Sequence, residues 1–99
     1  MITVQIVEHP DANLYKELLS AMRSGDLRTF SAKDRGKKIV HVSYKGYISW
    51  RRVAGVIDCK VRYPSNPRLE WQLMHAFLGR LADRYPHWIQ SVTIQFPDA

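Results

Sequence analysis

The chain has little that would fix its chemistry in advance. Its 99 residues include one cysteine, so no internal disulfide can form, which fits a reducing compartment. No apolar run approaches the ~18 residues of a membrane span. The opening, MITVQIVEHPDA, lacks the basic n-region and small-residue cleavage site of a secretory leader. These absences predict a complete, cytoplasmic chain with no membrane partner. His9, His41, His75 and His87 stand apart without zinc-type spacing, so no metal is expected. The glycines of DRG and SYKG read as turn residues, not as a phosphate-cradling loop, and no cofactor is expected. Repeats, linkers and low-complexity stretches are also missing.

What is present is an ordinary globular composition, 45% hydrophobic and 24% charged. It predicts one α+β domain over residues 1–99 with a modest core. The net charge of +6 is unevenly placed: residues 28–68 hold eleven Lys/Arg against two acids, and the remainder holds four against seven. Clustered positive charge favours an anionic partner, either nucleic acid or an acidic protein. Charge kept for solubility alone is the competing explanation.

Hydrophobic periodicity gives the elements. Residues 2–7 alternate with Ile2, Val4 and Ile6 on one side, the period of a strand. Asp11 can cap a helix over 14–22, whose apolar arc holds Leu14, Leu18, Ala21 and Met22, and Gly25 suits its stop. LRTFSA (27–32) is a lesser strand candidate, followed by a basic loop at 32–38. KIVHVSY (38–44) and the stretches 47–53 and 56–63 are strands. Ser65 or Asn66 can cap a second helix over 67–85, with Pro67 at its first position. Trp71, Met74, Phe77 and Leu81 share its apolar arc and are assigned to the core. A last strand at 89–96 puts Val92, Ile94 and Phe96 on one side. The order β-α-(β)-β-β-β-α-β predicts a two-layer α+β sandwich, with both helices on one face of a mainly antiparallel sheet of five or six strands. The terminal strands are expected side by side or in the middle.

Matching faces sets the strand registers. Between 47–53 and 56–63, pairs whose numbers sum to 109 put Trp50 opposite Cys59 and Ile48 opposite Val61. They also put Arg51 opposite Asp58, Ser49 opposite Lys60 and Tyr47 opposite Arg62. Ala-Gly is not a favoured tight-turn pair, so a four-residue loop from Val53 to Val56 is preferred over a two-residue one. For the preceding hairpin, a three-residue Tyr44-Lys45-Gly46 loop gives pairs summing to 90, with Val42 opposite Ile48 and Val40 opposite Trp50. The resulting wet rows are His41–Ser49–Lys60, Ser43–Tyr47–Arg62 and Ile39–Arg51–Asp58. Thr3, Gln5, Ser91, Thr93 and Gln95 would join that face.

Three functions compete for this surface. Basic groups beside an aromatic suit nucleic acid, because cations take phosphates and a ring can stack on a base. The binding candidates are Tyr47, Arg51, Lys60 and Arg62, with Lys37 and Lys38 from the adjoining loop. Alternatively, the protein is a regulatory or protein–protein interaction module. In that reading the basic face meets an acidic protein, and a homodimer uses another surface, since like charges would meet across a dyad. Tyr85 and Trp88 are the aromatic anchors considered for such a dimer. The third reading is a small metal-independent nuclease with His41 as general acid–base beside Lys60 and Tyr47. Cys59, on the apolar side beside Trp50, is expected to be a buried, inert thiol.

Overall fold

A computed structural model describes residues 1–97. Its elements are β1 (Ile2–Glu8), α1 (Leu14–Ser24), β2 (Phe30–Lys33), β3 (Lys38–His41), β4 (Tyr44–Val53), β5 (Val56–Arg62), α2 (Glu70–Arg84) and β6 (Ile89–Gln95). The six strands form one antiparallel sheet in the order β2-β3-β4-β5-β1-β6, and both helices pack on one of its faces. This is the expected α+β sandwich. β1 lies beside β6, with β1 inside the sheet and β6 at its edge.

Local chemistry sets the helix ends. The α1 cap is Asn13, not Asp11: the Asn13 side chain accepts the Lys16 N–H, while Asp11 occupies a left-handed turn position at φ 68°. Gly25 closes α1 in the left-handed conformation at φ 86°, where a Cβ would be strained. Asn66 caps a single 3-10 turn, Pro67–Leu69, that leads into α2.

The β4–β5 register is the one that sums to 109, from Tyr47 opposite Arg62 through Trp50 opposite Cys59 to Arg51 opposite Asp58. The loop differs from the expectation. Val53 pairs with Val56, so Ala54-Gly55 is a two-residue turn with φ of 52° and 80°. Both residues are left-handed, the geometry whose twist matches the flanking strands. Tertiary pairing along ten residues of β4 outweighs the poor fit of Ala54 to that conformation.

The β3–β4 hairpin corrects the other expectation. Ile39 pairs with Ile48 and Val40 with Tyr47, sums of 87, and the chain turns at Val42-Ser43. The odd shift of three exchanges the faces of β3. Ile39 is fully buried, whereas Val42 is 72% exposed in the turn. Gly46 is therefore inside β4 with no left-handed φ. A Cβ there would lie 2.5 Å from the Arg62 carbonyl oxygen and 2.7 Å from the Tyr63 ring. Tyr63 folds across the glycine, and its hydroxyl oxygen accepts the Lys45 N–H. Glycine at 46 answers a close approach of side chain and backbone, not a turn.

The core joins Ile2, Val4 and Ile6 of β1 to Ile48, Trp50, Ile57, Cys59 and Val61 of the central hairpin. The helices contribute Leu14, Leu18, Leu73, Met74, Phe77 and Leu81. Trp50 donates its indole N–H to the Gly36 carbonyl at 2.6 Å and stacks on Tyr15 at 4.3 Å, tying the β2–β3 turn to α1. Glu8 is buried but satisfied. Its Oε1 accepts from Arg52 at 2.7–2.8 Å, and its Oε2 accepts the Tyr15 N–H in the first turn of α1. Trp71 departs from the core assignment and is half exposed, and Val92 and Ile94 of β6 are more than a third exposed. The reason is dimensional. Six strands at ~4.8 Å each cover about 29 Å, and two helices at ~10 Å each cover about 20 Å. Since α1 packs on β2, and α2 on β4, β5 and β1, the shortfall falls on β6.

Candidate functional site

The sheet face opposite the helices is uncovered, and strict alternation determines what it carries. Register places Lys33, Lys38, Ser49, Lys60, Thr3 and Gln95 in one row crossing all six strands. A neighbouring row runs Ser31–Val40–Tyr47–Arg62, and another runs Arg51–Asp58–Gln5–Thr93. Lys45 joins the same side, two residues before Tyr47. Among the described strand residues, this face holds Lys33, Lys38, Lys45, Arg51, Lys60 and Arg62 against one acid, Asp58.

Strands position these cations differently. Lys60 and Arg62 alternate with buried Cys59 and Val61, so inward packing fixes their outward direction. The Lys38 ammonium lies 4.6 Å from the centre of the Tyr47 ring, a cation–π contact that uses one face of the only aromatic ring on this side among the described residues. Arg51 lies 3.8 Å from Asp58 with its own side chain 76% exposed, so the pair is loose and solvated. Ser49, Arg51, Asp58 and Lys60 line a shallow depression over the centre of the sheet. From Lys33 to Lys60, three strand spacings, is about 14 Å.

The β3 correction redistributes the predicted site. Tyr47, Arg51, Lys60, Arg62 and Lys38 share the outer face. Lys37 does not: its carbonyl accepts the Trp50 N–H, which gives it the parity of the helix side, at the sheet margin. His41 and Ser43 leave the wet rows, and Lys38 and Val40 take their places. His41 packs at 4.7 Å on Phe30, which itself meets Phe77 of α2, and at 4.9 Å on Tyr44. Partial burial, and secondarily the nearby Arg80 of α2, hold the imidazole pKa below its usual value. His41 is thus on the helix side, across the sheet from Lys60 and Tyr47. The constellation required for the nuclease reading does not assemble.

Lys33 and Lys45 are the residues that sequence reasoning missed, because both were assigned to loops. The β-branched run after Lys38 could have signalled that β3 needed a partner on its far side, and Lys33 lies on that partner. Cys59 is buried, and burial with the neighbouring Asp58 pushes its thiol up to about 12, so it is no nucleophile at neutral pH. Of the two aromatics considered for a dimer anchor, Tyr85 is buried and meets Trp88 edge-on at 5.9 Å, while Trp88 is partly buried. No described helix is long and apolar enough to cross a membrane. No protein family, curated protein or solved structure shows significant similarity to this chain.

Proposed function

We propose that the chain is a binding module for nucleic acid and grips the phosphate backbone with its outer sheet face. The observation that carries this reading is the imbalance of that face: six cations from β2, β3, β4 and β5 against Asp58, with no element covering them. An open sheet face of cations and hydroxyls suits a backbone tracked without much sequence readout. Lys33, Lys38 and Lys60 contact phosphates along their shared row, Arg62 extends the contact on one side, and Arg51 does so on the other once Asp58 is displaced. Tyr47, with one ring face on Lys38, supplies the single stacking surface.

The test is fluorescence anisotropy with a labelled single strand of mixed sequence, read across a salt series. Five phosphate contacts give a slope of about −3.5 in log K against log salt, and Lys60→Ala with Arg62→Ala flattens it by about 1.4. Absence of binding at low salt, with RNA and with DNA, would end this reading and leave an acidic protein as the partner to seek.

A further inference from the structure

The most unusual surface lies away from the cations. β6 ends the sheet, and no described residue pairs with its outer edge. Its sequence, IQSVTIQ, contains no charge and no proline. Edge strands are ordinarily shielded by lysines, prolines, bulges or brevity, because unpaired N–H and C=O groups invite another strand. Here the one irregularity lies at the start of the strand, near Glu8, and the rest is regular. On the helix side β6 also exposes Val92 at 38%, Ile94 at 37% and the adjoining Phe96 at 60%. Trp71 of α2, 50% exposed, stands 6.5 Å from the Phe96 ring. Between α2 and β6 runs an apolar groove whose other wall is formed by Leu78 and Pro86. A free strand edge and an apolar groove therefore adjoin along the same element.

We infer that this edge pairs with β6 of a second copy of the chain, joining two sheets into one antiparallel sheet of twelve strands. Three observations select a second copy. The first is pattern. Antiparallel pairing about a dyad perpendicular to the sheet keeps both outer faces on the same side, so partners must match in parity. Pairs summing to 188 put Ile94 against itself and Val92 against Phe96 on the helix side, and Thr93 against Gln95 on the outer side. These three pairs join like with like, and the next, Ser91 against Pro97, ends the ladder because proline has no N–H to donate. The second is charge. A chain of net +6 meets its own copy unfavourably almost anywhere on the outer face, but the strand β6 is neutral and lies at the opposite edge from Lys33 and Lys38. The third is size. A stable interface takes about 800 Å² from each partner, roughly an eighth of the 6307 Å² surface of this chain. The stretch 91–97 is flanked by two half-exposed aromatic rings that have roughly 75–125 Å² each left to bury, about a fifth to a third of that area.

The association also bears on the basic face, since both copies would present it on the same side. The two Lys60 side chains would stand five strand spacings apart, about 24 Å.

Light scattering after size exclusion tests the pairing on the purified full chain, at concentrations on the order of 100 µM where micromolar association is populated. The expected mass is twice 11.5 kDa, equal at low and high salt because no charge pair holds the interface. Ile94→Lys places two like charges at the dyad and should give the single-chain mass with an unchanged far-UV circular dichroism spectrum. Phe96→Asp, at a more exposed side chain, should do the same, and decides the matter if Ile94→Lys does not fold. A wild-type chain of single mass at this concentration, or folded variants that keep the double mass, would overturn the inference.

Discussion

At one edge of the sheet, β2 is four residues long, ends in Lys33 and lies against α1. At the other, β6 is seven residues long, carries no charge and leaves Val92 and Ile94 on its helix side more than a third exposed. The first edge is finished within the chain: Phe30 is buried between His41 and Phe77, and Trp50 pins the neighbouring turn through its indole N–H. The second has equivalent side chains that are covered only in part, along the groove beside α2. Charge follows the same division, since Lys33 and Lys38 belong to the finished end and β6 has none. The difference teaches that the helix layer was placed to close the basic end, where strands are short and need it. The longer strand, already paired with β1 along its length, was left for another contact.

The largest expected effect contrasts the two ends directly. Phe30→Ala removes a buried ring from the closed end and should cost about 3–5 kcal/mol, enough to threaten folding. Phe96→Ala, at the open end, should cost no more than about 0.5 kcal/mol in dilute solution. Urea denaturation of both variants checks this. Equal losses at low protein concentration would break the contrast. A loss for Phe96→Ala that grows with protein concentration would sharpen it, because association adds stability by mass action.

Next in size is the strap between the ends. Glu8 joins β1 to Arg52 of β4 and to the first turn of α1. Glu8→Ala leaves Arg52 and the Tyr15 N–H without their acceptor and should cost about 3 kcal/mol. Arg52, whose side chain is 30% exposed, can turn to water, which keeps the loss at the low end of the range for broken buried pairs. Glu8→Gln, which retains an acceptor for Tyr15, should lose less. Equal stability of Glu8→Ala and wild type in urea would show the strap to be idle.

The hairpins explain what could be read from sequence. In β4–β5, alternation on both strands is unbroken, and Asp58 opposite Arg51 leaves one sensible register. In β3–β4, Lys38-Ile-Val-His-Val offers apolar residues at both parities, so two registers bury something. The choice fell to turn chemistry, where Gly46 was misleading. Its reason is the Tyr63 ring, a contact 17 residues away in sequence that no local pattern records. The outer face was legible wherever β4 and β5 alone determined it, hence Tyr47, Arg51, Lys60 and Arg62. It was illegible where β3 mattered, hence His41. Exposure of Trp71 and β6 was equally hidden, because periodicity reports which side a residue takes and not whether the opposite layer reaches it.

Two substitutions, one inside β4 and one in the turn that follows it, should act in opposite directions. Gly46→Ala forces a methyl against the Arg62 carbonyl and Tyr63, and should cost about 1–3 kcal/mol, as overpacking does. Ala54→Gly relieves a left-handed alanine and should stabilise by about 1 kcal/mol. Thermal melts rank the pair. A stabilising Gly46→Ala would restore the glycine to an ordinary turn role, and a destabilising Ala54→Gly would argue against the tight two-residue turn.

The smallest effect comes from a proton and should be confined to the closed end. His41 Nδ1 accepts the Ser43 N–H at 3.0 Å, which requires that nitrogen to be unprotonated. Burial, and then Arg80 facing it from α2, lower its pKa from the ordinary 6.5. As pH falls, the unfolded chain therefore takes up this proton before the folded one does. The contribution of His41 is fully present above about 6.5, shrinks as pH drops below it, and stops changing once the folded-state pKa is passed. Urea midpoints of wild type and His41→Asn at pH 7.5 and 5.5 isolate the term, since the other three histidines are common to both chains. Wild type should lose more on acidification than His41→Asn, and equal losses would show that the folded imidazole titrates normally. The light-scattering mass, by contrast, should not change between these pH values. Val92, Ile94 and Phe96 carry no titratable side chain, and the histidine at the flank of this edge is His75, 5.5 Å from the Trp71 ring, so a mass that changes with pH in wild type and in His75→Gln alike would move the association from β6 to another surface.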